Sequence, residues 1–447
     1  MKNKRLRFIR TLFAVEVAVL LTVTAFGFYI VLSDEIPPVM ANSISGIIKP
    51  SSVDAKGGPA ANPEGREQGS GSEFPEQRET GETPPHESAV PDENLTEVSG
   101  EGAHEDAFPE ESNASDEIDA EPSGTDEVVN AVSKKRPTMI FCGDILIDGS
   151  VKNVVEREGL DIIFRPEYRG PFRNADIAMA DLEMPVSTRG APMLDKEYNF
   201  RGDPSSLDLL EDMGIDIVTV ANNHTMDYGR EAFTDTLDLL DERGIKYVGG
   251  GRDKNEAERW VTLKAGDYSV AFLAATRVIS SASWYAAKNQ PGVFGTYDPS
   301  VLNAQIALAK QEADYVVVYA HWGVEKNSVP EDYQRDMARG YVNAGADLVV
   351  ACHPHVLQSL EFYKGTLIAY SLGNFIFTDS QKDTAALEVT INEDGGLSAR
   401  LRPFEIVDRR TAPMTNPNKL ENLRKHLNEI SFGVTIGEDF EIRPKLD

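Results

Sequence analysis

Cysteine is nearly absent from this chain. Cys142 and Cys352 are the only two in 447 residues, which excludes a disulfide framework. Positive charge is also scarce, with 44 Lys and Arg against 73 Asp and Glu. No basic patch rises above that background, so nucleic acid is excluded as a partner. Between residues 33 and 134 aromatic side chains almost vanish, and Glu, Asp, Ser, Pro and Gly dominate without helical or strand periodicity. Such a stretch has too little apolar surface to build a core, and it reads as a disordered linker.

The acidity belongs mainly to that linker. Residues 51 to 130 carry 22 acidic and 3 basic side chains, a large share of the net charge of −29. A run of this kind is a self-repelling spacer, and about 100 flexible residues span roughly 55 Å or more. Before it, Lys2, Lys4, Arg5, Arg7 and Arg10 form a basic tail over residues 1–10, and from Thr11 to Leu32 the only charge is Glu16. The run 11–32 is long enough to cross the roughly 30 Å hydrocarbon core as one helix. It exceeds the roughly 7 to 15 apolar residues of a cleaved signal, and no small-residue cleavage site follows promptly, so an uncleaved transmembrane anchor is expected. Basic residues before the span and none just after it place the N-terminus in the cytoplasm and the rest outside a cell membrane crossed once.

From Thr138 onward, short apolar runs alternate with amphipathic stretches, the signature of an α/β fold. Helices are expected over Ser205 to Met213, Arg230 to Arg243, Pro299 to Glu312 and Glu331 to Ala344. Strands are expected around Ile140, Ile177, Val218, Tyr247, Val317 and Val349. Beyond His355 the pattern becomes hairpins: Leu357 to Tyr363 with Thr366 to Leu372, and Ala385 to Asn392 with Leu397 to Ile406. These are expected in a second, antiparallel-rich sheet, joined by the hairpin Val261 to Lys264 with Tyr268 to Ala274. Two sheets face to face with helices outside make an αββα sandwich over residues 135–410, leaving 411–447 as a peripheral segment.

Four of the seven histidines fall in three motifs, Ala221-Asn222-Asn223-His224, His321-Trp322-Gly323 and His353-Pro354-His355. Each follows an apolar strand-like run. Two further loops in the same position, Gly143-Asp144 and Asp181-Leu182-Glu183, add carboxylates. In open α/β sheets, loops after strand ends are where ligand groups converge. Imidazole, carboxylate and amide oxygen together form a donor set for divalent ions of the Zn, Mn or Fe type. Cys142 and Cys352 end two of these strands and read as small buried side chains, with thiolate ligation of the metal or a disulfide between them as the other options.

In this order the motifs resemble the CapA family of capsule and poly-γ-glutamate biosynthesis proteins, a branch of the calcineurin-like metallophosphoesterase superfamily. Ala180-Asp181-Leu182-Glu183-Met184-Pro185, Asp227 with Gly229, Glu325, Gln358 and Tyr370-Ser371-Leu372-Gly373-Asn374-Phe375 carry the resemblance further. It implies a metallophosphoesterase-type sandwich in which Asp144, Glu183, Asn223, His321, His353 and His355 hold two divalent ions, with Glu183 bridging. It implies His224 as an acid oriented by Asp227, and Asn222, Arg201, Glu325 and Asn374 as substrate-binding residues. Three positions depart from the superfamily pattern: Leu146 stands where a first-loop histidine would be, Glu183 where the bridging aspartate would be, and Cys352 replaces a glycine. The resemblance implies synthesis, export or processing of an anionic polymer such as poly-γ-glutamate, with other capsule-synthase subunits as partners. The readings beside it are a metal-dependent phosphoesterase or amide hydrolase on another envelope substrate, and a non-catalytic clamp for polyanions. Lys196, Arg201 and Lys326 are the cations near the motif loops that such a polyanion would meet.

Overall fold

The computed structural model describes residues 136–445. The expected basic tail, membrane span and acidic linker lie outside them. Among the described residues, no helix is long and apolar enough to cross a membrane.

The first half runs β1 (Thr138–Ile145), α1 (Gly149–Glu158), α2 (Gly170–Arg173), β2 (Ile177–Leu182), α3 (Leu207–Met213), β3 (Ile217–Thr219), α4 (Gly229–Arg243) and β4 (Lys246–Val248). It continues through β5 (Gly250–Gly251), α5 (Lys254–Glu258), β6 (Val261–Ala265), β7 (Tyr268–Thr276), β8 (Gly292–Val293), α6 (Ser300–Glu312), β9 (Tyr315–His321), α7 (Asp332–Ala344) and β10 (Leu348–Cys352). Then come β11 (Leu360–Tyr363), β12 (Thr366–Ala369), β13 (Asn374–Ile376), β14 (Gln381–Ile391), β15 (Leu397–Val407), β16 (Arg410–Pro413), α8 (Pro417–Ile430), β17 (Val434–Ile436) and β18 (Glu441–Pro444). The four expected helices form, each within two residues of the expected start, and Gly244 and Gly345 end α4 and α7 in left-handed conformation.

Two mixed sheets make the centre. One has the order β17-β18-β15-β14-β1-β2-β3-β4, with β13 beside β1 and β16 beside β15; the other is β11-β12-β10-β9-β7-β6. Strand alternation builds the layers. On β1, Met139 and Phe141 share a cluster with Val317 and Tyr319 of β9 and with Leu348 and Val350 of β10, the filling between the sheets. Ile140 turns the other way, onto Val151 of α1, Phe172 of α2 and Phe233, Leu237 and Leu240 of α4. Val316 and Val318 of β9 face Leu302 and Ile306 of α6 and Tyr341 of α7. Each such fully buried apolar side chain is worth about 1.5–3 kcal/mol. The order is helix, sheet, sheet, helix, as the sequence leads one to expect.

Two expectations are corrected. The hairpins do not gather in one antiparallel sheet: β14–β15 extends the parallel strands β1–β4, while β11 and β6 pair antiparallel at the two edges of the parallel strands β12, β10, β9 and β7. Each sheet therefore has a parallel heart with antiparallel additions. The segment after Thr411 is not peripheral. Strands β17 and β18 continue the larger sheet, and Leu423, Leu427, Val434, Ile436 and Ile442 are buried in the inter-sheet core.

Candidate metal centre

The parallel strands of both sheets end along one edge. Asp144 is in register with Asp181, and Asp181 with Thr219, in the larger sheet; Thr276, His321 and Cys352 are in register in the smaller. The loops that follow carry the expected donors. Local backbone features hold them there. A Cβ on Gly143 would lie 1.8 Å from Gly373 O, so only glycine lets β1 pass the backbone just before β13 and deliver Asp144, whose N–H donates to the same carbonyl at 3.1 Å. His353 and His355 sit at φ 98° and 57°, left-handed conformations that cost a non-glycine residue roughly 1–3 kcal/mol.

Asp144, Glu183 and His321 are fully buried and His353 is nearly so. His321 Nε2 lies 2.6 Å from Asn223 Oδ1 and 3.8 Å from Glu183 Oε1. His355 Nδ1 lies 3.5 Å from Asp144 Oδ2 and 3.9 Å from Glu183 Oε2, so Glu183 stands between the two imidazoles with one oxygen toward each. The His353 ring is 4.7 Å from that of His321 and 5.7 Å from that of His355. Asp144 Oδ1, both Glu183 oxygens and His353 Nδ1 are buried without any hydrogen-bond partner. Orphaned buried acceptors of this kind cost about 1–3 kcal/mol each, and charged ones more. Four in one place, all of them metal-donor atoms, fit divalent cations.

Asp181 and Cys352 belong to the same cluster, although neither stands in the expected donor set. Asp181, His321 and Cys352 present atoms close enough to share an ion with Asp144. Hydrogen bonding gives them a different task. Asp181 accepts from Asn222 Nδ2 at 2.7 Å and Cys352 Sγ at 2.9 Å, and lies 2.7 Å from His321 Nδ1. Its oxygens are fully engaged, so it orients His321. Burial, followed by the nearby Asp144 and Asp181 charges, pushes the Cys352 thiol well up, and it stays a thiol that donates to Asp181.

Burial likewise raises Glu183 well above the usual carboxylate range, helped by Asp144 and Asp181, and raises Asp181 to about 7. Burial lowers His321 to about 3 and His353 well below its ordinary value, so both rings are neutral. For His355 burial opposes the charge, but the hydrogen bond and charge of Asp144 outweigh it and the pKa rises.

His224 lies beside this cluster. Its Nδ1 is 2.6 Å from Asp227 Oδ2, which also takes the Phe200 N–H at 2.9 Å. Lys196 Nζ lies 3.0 Å from the same ring nitrogen and donates to Asp227 Oδ1 and to Asn223 O. Burial lowers the His224 pKa, against the pull of Asp227. The neutral ring carries its Nδ1 proton toward Asp227, leaving Nε2 to accept a proton first.

Several expected contacts are placed differently. Lys196 is committed to Asp227 and is not a receptor for a polyanion. Asn222 spends its amide on Asp181 and Leu182 O and its oxygen on the His224 N–H, so it braces the loop. Asn374 is held between His355 Nδ1 at 2.7 Å and Asp379 Oδ2 at 2.5 Å. Arg201 stacks on Tyr228 at 4.2 Å and donates to Arg189 O, contacts that do not reach the donor atoms. Glu325 and Lys326 are exposed, and the Glu325 charge is felt at His355. Leu146 is wholly buried in the helix-side core, so no donor takes the place of the absent histidine from that position.

Layers, strand-end loops and orphaned donors define an α/β protein with a buried cluster suited to divalent ions. Residues 138–379 match the family described as "Bacterial capsule synthesis protein PGA_cap", and the chain belongs to that family. It is similar to the "PGA biosynthesis protein CapA" of Bacillus subtilis (strain 168), 36% identical over 280 residues that make up 61% of this chain and 73% of that protein. It is also similar to the "Capsule biosynthesis protein CapA" of Bacillus anthracis, 33% identical over 290 residues, 62% of this chain and 70% of that one. Among solved structures, a phosphatase of Mycoplasma pneumoniae overlaps 62% of this chain and 95% of its own at 11% identity and a TM-score of 0.39. That overlap is slight, and no residue role is taken from it.

Proposed function

We propose that this capsule-family protein acts on an anionic polymer of the poly-γ-glutamate kind at the outer face of the cell membrane, through two divalent ions held by Asp144, Glu183, Asn223, His321, His353 and His355. The observation that carries the metal reading is the set of four buried donor atoms without partners. Bound ions would lower the pKa of a water and offset charge on reacting oxygens. The rest falls to the chain's own side chains. Glu183 spans the two imidazoles, Asp181 fixes the His321 ring, and His224 Nε2 takes up a proton that Asp227 helps to hold and the Lys196 charge helps to release, so that it can then be returned to a leaving group. The outward topology is supported by the basic flank of residues 1–10 and the apolar run 11–32, and the polymer by the names of the relatives.

The reading is tested on the purified full-length chain by elemental analysis, followed by incubation with poly-γ-glutamate and added Mn²⁺ or Zn²⁺. Bound transition metal and shortening of the polymer are expected. Release of phosphate from phosphoesters, with the polymer intact, would favour another envelope substrate. The buried Leu146 favours one second reading, in which the centre has one donor fewer than a phosphoesterase and serves as a cation-bridged clamp for carboxylates. Metal bound tightly with no turnover of either substrate is its signature.

A further inference from the structure

Arg277 is the first residue beyond β7, on the edge where the donor cluster lies. Its N–H donates to His321 O at 2.8 Å, and Thr276 before it is in register with His321. Three residues on, Ser280 Oγ donates to Asn223 O at 3.4 Å. The segment 277–280 thus runs along the rim from one donor loop to another.

Aromatic rings hold the guanidinium. Its Cζ lies 3.4 Å from the Tyr297 ring centroid and 5.2 Å from that of Tyr333. Tyr333 is itself tied to the site, since its hydroxyl accepts from Gly323 N, two residues past His321, at 2.8 Å. Elsewhere the acid-rich chain pairs its arginines readily: Arg252 meets Asp238, Asp241 and Glu256, and Arg189 meets Glu231 and Asp235. Alone among the arginines of the described residues, Arg277 sends no guanidinium N–H to a protein acceptor and meets no carboxylate. Its Nε is buried without a partner, and the two Nη nitrogens are left accessible. A stacked guanidinium with a vacant fork is the arrangement that receives a carboxylate or phosphate through paired hydrogen bonds. Lys196 and Arg201 are otherwise engaged and Lys326 is an exposed loop side chain, which leaves Arg277 as the ring-held cation at this strand end.

We propose that Arg277, seated between Tyr297 and Tyr333, is an oxyanion-binding subsite beside the metal centre, and that its occupant is a side carboxylate of a γ-glutamyl chain. Only the identity of the occupant rests on the function proposed above. The subsite itself rests on the unpaired, ring-held guanidinium at the His321 strand end.

The test is calorimetric titration of the full-length chain with a short γ-glutamyl oligomer and, separately, with inorganic phosphate, using wild type, Arg277→Gln and Arg277→Lys. Loss of a charge-assisted fork should weaken oligomer binding about 10-fold or more in Arg277→Gln. Arg277→Lys should recover part of it, with metal content and melting temperature close to wild type in both. Equal affinity in wild type and Arg277→Gln would overturn the subsite and leave Arg277 as a structural pin between two tyrosines. Binding of phosphate alone, dependent on Arg277, would uphold the subsite and remove the γ-glutamyl occupant. A wild type that binds neither anion overturns it. Should Arg277→Gln fail to fold, Arg277→Lys carries the test, because it keeps the charge and loses the fork; undiminished binding by that variant sinks the proposal.

Discussion

Asp181 Oδ2 and His321 Nδ1 lie 2.7 Å apart, and both side chains are fully buried. With Asp181 ionised, Nδ1 is the donor and the Nε2 lone pair turns toward Asn223 Oδ1 at 2.6 Å and Glu183 Oε1 at 3.8 Å. Three acceptors facing one another repel unless a cation lies among them. The partner of the ring thus decides which of its nitrogens is offered to an ion, a relationship common to metal-binding histidines.

His353→Ala removes a ring whose Nδ1 has no protein partner. Bound transition metal should fall at least 10-fold, within the range that loss of a ligand or its support produces. Far-UV circular dichroism should stay nearly unchanged, since strands β9 and β10 form from their own apolar faces. Equal metal content in wild type and variant would remove the metal centre.

Asp181 gives a pH signature in metal-free protein. Burial raises its folded pKa to about 7 from an ordinary value of 3.8. Between those two values the folded state binds more protons at this residue than the unfolded state, so its contribution to stability is present below about pH 4 and is lost as pH rises toward 7. Asp181→Asn mimics the neutral form at every pH. The melting temperature of wild type relative to Asp181→Asn should therefore decline from pH 4 to pH 7 in chelator, and a flat difference would contradict the raised pKa.

Much of this was legible in the sequence. Strands β1, β9 and β10 are buried on both faces, so they appear as unbroken apolar runs, and the polar residues that end them stand out. Sheet membership was not legible: β14 pairs with β1 over a separation of more than two hundred residues, and no local pattern encodes that choice. The segment after Thr411 was misjudged because Leu423, Leu427 and Val434 are scattered among charged residues, and their burial depends on a sheet edge built elsewhere. Lys196 looked like a free cation since its partner Asp227 lies across a loop. Arg277 gave no signal, because what marks it is the lack of a partner.

Gly143→Ala probes the delivery of Asp144. The added Cβ would meet the Gly373 carbonyl at 1.8 Å, and backbone on both sides leaves little room to yield. Overpacking of this kind costs about 1–3 kcal/mol. Chemical denaturation should show a loss on that scale, together with weaker metal binding, because the strand end that carries Asp144 must move. A variant as stable as wild type, with full metal content, would show that β1 and Gly373 separate freely.

His224, Asp227 and Lys196 form a unit that should separate proton handling from metal binding. In an assay where wild type turns over substrate, His224→Ala should keep its metal and lose about 10²- to 10⁴-fold in rate, the range expected for an acid–base group. Lys196→Met tests the support behind it. Lys196 Nζ is the cation facing the fully buried Asp227, and removing one partner of a buried pair costs about 3–5 kcal/mol because the other charge is stranded. Lower stability with metal retained and a shifted pH–rate profile is the expected result, since the lysine also stands 3.0 Å from His224 Nδ1 and holds its pKa down. The same profile in Lys196→Met as in wild type would reduce the lysine to a structural tie, and equal rates in wild type and His224→Ala would strip the histidine of its role in proton transfer while leaving the metal donors as they are.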